Sequence, residues 1–103
     1  MKAIEQGHQY QLDNMEGGFQ TLLFIQKEVT PNSTEGIPMQ TIMNGTTNEE
    51  VLKVLIDRMY FLQGKMASRE NAIVITNLEE SLMWLEKRTA DRKARGVEGA
   101  FAK

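Results

Sequence analysis

The apolar positions of this chain change period once, near residue 46. From Glu5 to Asp13 they recur at every second residue, with His8, Tyr10 and Leu12 on one side, which predicts a half-exposed strand. Phe19 to Val29, FQTLLFIQKEV, is rich in β-formers and apolar at its centre, and the intervening NMEGG has the composition of a tight turn. The two segments therefore predict a β-hairpin. TPNSTEGIP, residues 30–38, is a loop by its breakers, Met39 to Met43 predicts a short third strand, and Asn44-Gly45-Thr46 closes the β-rich part.

Beyond it the period is helical. Thr47 caps a first helix, Glu50 three residues on completes a capping box, and Glu49 and Glu50 suit the positive end of the helix dipole. Leu52, Leu55, Met59, Leu62 and Met66 form its stripe, and Gly64 lies near its end. Ser68 caps a second helix after a connection short enough to make the two antiparallel neighbours. In that second helix Ile75, Leu78, Leu82, Leu85 and Thr89 recur at three and four, a packing seam that we expect to join two copies. Trp84 is off the seam and is expected beneath the sheet. Arg95-Gly96 ends the helix. The pattern gives one α+β domain over 1–103: a small N-terminal antiparallel sheet in a β-rich part, 1–46, then an antiparallel helical hairpin that dimerises and a tail, 47–99.

At 103 residues the chain has room for one modest core, and burial by self-association would help it. Having no cysteine, it lacks disulfides, thiolate nucleophiles and cysteine zinc sites, as fits a reducing compartment. The single His8 supplies neither a zinc cluster nor half of a conventional triad. No apolar run is long enough to span a bilayer and the N-terminus has no apolar signal core, so no membrane partner and an unexported protein are expected.

The net charge of −2 conceals a segregation: Met1 to Glu86 carry six basic and twelve acidic residues, Lys87 to Lys103 six and two. A mostly acidic body with one basic end is a poor surface for DNA and suits a small anion. Lys87, Arg88, Arg92, Lys93 and Arg95 make that end. They serve the helix C-terminal dipole, or, with Arg88 and Arg92 one turn apart, they fork a pair of phosphates. Gly96, Val97, Glu98 and Gly99 read as a cap with trailing chain or as backbone able to wrap a ligand. Phe61, off the first helix's stripe, reads as a second core face or as a stacking plate for a purine.

Phe61 and Asn71 flank the same turn, whereas Arg88 lies 17 residues past Asn71, roughly 25 Å along a helix. A nucleotide cannot touch both ends in one chain. Two hairpins packed antiparallel would place the turn end of one beside the basic end of the other, making a composite pocket. For catalysis the inventory is thin: Glu49/Glu50 and Glu79/Glu80 are adjacent pairs that diverge by about 100° on a helix, and no phosphate-binding glycine motif or metal spacing is present. The chain is expected to bind and not to catalyse, with no cofactor or metal.

The run GTTNEEVLKVLIDRMYFLQGKMASREN, followed by LEESLMWLEKRTADRKARGVEG, resembles the helical hairpin of phage anti-Thoeris proteins of the signal-sponge type, and is similar to that of the phage anti-CBASS cyclic-nucleotide sponges. The resemblance covers about half the chain. It implies a non-enzymatic protein of the infected bacterium's cytoplasm that sequesters glyco-cyclic ADP-ribose. It also implies dimers with pockets shared between protomers, some assembling as trimers of dimers into hexamers that also hold cyclic di- or trinucleotides. On that resemblance Phe61 stacks the adenine, Asn71 hydrogen-bonds the base or ribose, Arg88 and Arg92 hold the pyrophosphate, and the backbone of Gly96, Val97, Glu98 and Gly99 closes over it.

Overall fold

A computed structural model of the chain describes residues 1–28 and 40–96. Five strands precede two helices. β1 (Lys2–Glu5), β2 (Gln9–Asp13) and β3 (Phe19–Leu23) form an antiparallel sheet in that order, and β4 (Gln26–Glu28) pairs antiparallel with β5 (Gln40–Met43) in a second sheet. The predicted hairpin is the β2–β3 pair, with Tyr10 opposite Leu22 and Leu12 opposite Gln20. The expected strand from Glu5 begins only at Gln9: a turn over residues 6–8, where Gly7 adopts φ 85°, separates it from β1, which pairs back on β2 and shares only Glu5 with the expected strand. The expected strand from Phe19 breaks at Phe24 and Ile25: Phe24 bridges Thr46 instead, and the chain passes to the second sheet.

That break is where the two halves of the molecule join. Thr46 N–H donates to the Leu23 carbonyl (2.8 Å), and Ile25 N–H donates to that of Thr46 (2.9 Å). The backbones approach so closely that a Cβ on Gly45 would lie 2.6 Å from the Phe24 carbonyl carbon. Any side chain there would force the strands apart.

α1 (Asn48–Lys65) starts as its sequence requires: Thr47 Oγ1 accepts from Glu50 N–H at 3.2 Å. Only that half of the capping box forms, since the Glu50 carboxylate turns to Lys53 at 3.6 Å. α2 (Arg69–Ala94) is capped by Ser68, whose Oγ accepts from Asn71 N–H at 3.0 Å. Between the helices, Gln63 grips Ser68 twice, accepting from its N–H (3.0 Å) and donating to its carbonyl (3.1 Å). The clamp explains how so short a connection holds the helices antiparallel.

The stripe of α2 is found on the side that packs against α1. Ile75 is 6% exposed and the one buried residue among those described; Leu78, Leu82, Leu85 and Thr89 are half-buried. The seam is therefore engaged first within its own chain. One partner helix covers such a stripe only in part, which is why four of its five members stay half-exposed. Across the outside of the hairpin, Tyr60 O–H donates to the Glu79 carboxylate at 2.8 Å. That bond, and secondarily partial desolvation and then the nearby negative charge, raise the phenol above its ordinary pKa of 10.0.

Candidate ligand-binding site

Trp84, Lys87, Arg88, Asp91 and Arg92 of α2, with Arg95 at its C-cap, lie at intervals of three, four and seven and so share one side of the helix, lining a groove of about 210 Å3. The sequence places the cations; the helix makes them converge. Asp91, the one acid in the groove, is bound to Lys87 at 2.9 Å. Lys87 thereby neutralises the charge that would repel an anion. Arg88 is exposed and forms no ion pair among the described residues. An uncommitted guanidinium beside a neutralised acid favours phosphate, which it can fork with two parallel N–H donors.

Trp84 does not lie beneath the sheet as expected. Among the described residues neither sheet packs on a helix, and the indole is 57% exposed at the mouth of this groove. Helical period identified Trp84 as off the seam, but only the placement of the sheet could show what covers it. Its position one turn before Arg88 was the available signal that it belongs with the arginines.

The structure brings Arg88 and Arg92 together and keeps Phe61 and Asn71 at the opposite, turn end of the hairpin. Phe61 is 59% exposed, and Lys65 Nζ stands 5.3 Å from its ring centroid. This ring therefore carries a cation on one face, an added attraction for a phosphorylated ligand stacked nearby. Asn71 is half-buried in the first turn of α2, held by the Ser68 cap. Gly96 has φ 71° and gives its N–H to the Lys93 carbonyl at 3.0 Å, the geometry of a helix C-cap. Any contact it makes to a ligand falls to its Cα and carbonyl. Val97, Glu98 and Gly99 lie outside the described residues.

Arg88 also borders a second, larger hollow of about 480 Å3, where the end of the first sheet meets the start of α1. Its walls are set by backbone bonds: Phe24 N–H donates to the His8 carbonyl at 2.7 Å, and Tyr10 meets Phe24 edge-on at 5.9 Å. Glu49, in the first turn of α1, completes the rim. His8 thus stands at a chemical position that its solitude in the sequence did not suggest.

An antiparallel helical hairpin with a short clamped turn and a cationic end defines a class, and the comparison agrees: the chain belongs to the Acb2/Tad1, hairpin domain, family, matched over residues 25–90. The match includes Phe61, Asn71 and Arg88 and stops before Arg92. The chain is also 46% identical over 81 residues to the protein called Thoeris anti-defense 1 of Bacillus phage SBSphiJ7, an alignment covering 78% of this chain and 57% of that relative. It thus spans little more than half the length of the curated relative it matches. The likeness to anti-Thoeris proteins read from the hairpin motifs is the family found.

Proposed function

We propose that this protein is a phage anti-defence sponge. It binds glyco-cyclic ADP-ribose in the cytoplasm of the infected bacterium and sequesters it without cleavage, so that the Thoeris effector is never activated. The observation that carries the reading is the uncommitted Arg88 in a groove shared with Arg92 and an exposed Trp84, on the hairpin of this family. The name of the phage relative supports the anti-Thoeris assignment.

The site is completed by a second copy. A groove of about 210 Å3 is smaller than the ~300–1,000 Å3 typical of small-molecule sites. The chain by itself is elongated, 53 × 34 × 15 Å with a radius of gyration of 17.0 Å, against about 13 Å for a compact domain of this length. With Ile75 the one buried residue among those described, and Val54, Leu55, Ile73 and Val74 exposed along the helices, the hairpin offers a large apolar area to a partner. Packing two hairpins antiparallel covers it and sets Phe61 and Asn71 of one protomer beside Arg88 and Arg92 of the other.

Sequestration requires affinity and not turnover. Charge-assisted hydrogen bonds from two arginines contribute about 1.5 to 3 kcal/mol each, and stacking about 1 to 3 more. Together with the apolar surround these reach about −12 kcal/mol, a nanomolar complex. The test is to incubate the protein with glyco-cyclic ADP-ribose, remove free ligand, denature by heat and identify what is released. Intact messenger is expected. Degraded product would make the protein an enzyme, and retention of cyclic di- or trinucleotides alone would assign it to the CBASS signals.

A further inference from the structure

The 480 Å3 hollow on the other side of Arg88 has no part in the function proposed above, yet its volume is that of a small-molecule site. Glu49, half-buried, and Arg88 both line it, and among the described residues no ion pair joins them to each other or to any third group. A carboxylate and a guanidinium share one cavity and stay apart. A third group is His8, whose Nδ1 is buried and has no hydrogen-bond partner, an uncommon state for a buried polar atom. The Tyr10 hydroxyl accepts from Gly7 N–H at 2.8 Å and keeps its own proton to donate.

The unsatisfied groups define what fits. The Glu49 carboxylate is an acceptor, and Nδ1 of the His8 imidazole is a donor or an acceptor according to tautomer; both are answered by hydroxyls. A phosphate diester has none, whereas a ribose presents two adjacent hydroxyls, which an acidic side chain holds in dinucleotide sites as well. We propose that this hollow reads the ribose hydroxyls of the phosphate-bearing ligand, Glu49 accepting from them and His8 pairing with one of them while Arg88 grips the adjoining phosphate. The inference rests on the sponge reading and extends it, making the protein selective for ribosyl phosphates over phosphate alone.

Glyco-cyclic ADP-ribose is titrated calorimetrically into the wild-type protein, Glu49→Gln and His8→Ala, each with a melting curve. Both variants are expected to bind about tenfold more weakly at nearly unchanged melting temperature. A carboxylate standing idle beside a bound phosphate repels it, so Glu49→Gln binding as tightly as wild type, or more tightly, overturns the proposal. Because His8 is the single histidine, 15N-imidazole labelling isolates it in the wild-type protein, whatever the variants do. Saturating ligand is expected to shift its Nδ1 resonance, and an unmoved resonance in a ligand-bound protein overturns the proposal. A wild-type protein that binds no glyco-cyclic ADP-ribose refutes the sponge reading instead, and this one with it.

Discussion

Removing Arg88 separates a binding role from a structural one. Its guanidinium is exposed and makes no ion pair among the described residues, so Arg88→Ala leaves no buried charge or broken network behind. A surface change of that kind alters stability by no more than about 0.5 kcal/mol, or about 4 °C in melting temperature for a domain of this size. Binding responds differently. Two charge-assisted hydrogen bonds taken at the low end of their range come to about 3 kcal/mol, a loss of roughly 100-fold in affinity. Arg88→Lys retains the charge but not the fork and is expected to lose about tenfold, one such bond. The assays are calorimetric titration with glyco-cyclic ADP-ribose and sedimentation velocity on the same samples. A variant that binds normally denies Arg88 its role; one that unfolds or dissociates makes that role structural.

Other consequences follow from single contacts. Ile75→Ala truncates the one buried residue among those described and should cost about 2 to 5 kcal/mol, read by circular dichroism melts, with unchanged melting showing that the seam is not the core. Trp84 is the single tryptophan, so its fluorescence should change on ligand addition, and Trp84→Ala should weaken binding by about 1 to 3 kcal/mol; an emission spectrum indifferent to ligand would remove it from the site. The raised pKa of Tyr60 reflects a neutral phenol favoured by the fold. Its contribution is present below the ordinary pKa of 10.0 and fades as pH rises through the higher folded value. In Tyr10→Phe protein the remaining phenol should ionise at higher pH than free tyrosine, and Glu79→Ala should bring it back. Gly45→Ala should destabilise by about 1 to 3 kcal/mol through its clash with the Phe24 backbone, and an unaffected melting temperature would show that the junction yields.

What the sequence discloses divides by range. Thr47 and Ser68 are legible as caps because capping is settled within three residues, and both hydroxyls accept where the spacing says they should. Ile75 to Thr89 are legible as a seam because their period is helical, though period alone does not reveal that the first surface they meet is α1 of the same chain. The break at Phe24 and Ile25 is not legible: FQTLLFIQKEV contains no glycine or proline, and the kink is imposed from far along the chain by Gly45 and Thr46. β1 is hidden for a related reason, since Lys2–Glu5 is short and gains its strand only from pairing with β2. Of the site, the sequence marks Arg88 and Arg92 by charge and spacing. It misses Trp84 and His8, whose surroundings are tertiary. The messenger proposed above rests on family likeness, since a cationic groove by itself favours an anion and does not say which.

The central claim is that each pocket draws its turn-end residues from one protomer and its arginines from another, and mixing two crippled proteins tests it most directly. Asn71→Ala and Arg88→Ala are each expected to retain little glyco-cyclic ADP-ribose alone. After unfolding and refolding together, dimers carrying one of each subunit regain one intact pocket of two, so about one quarter of the wild-type capacity should return under random pairing. No recovery in mixtures whose heterodimers are verified by mass spectrometry would place the whole pocket within a single chain and contradict the account.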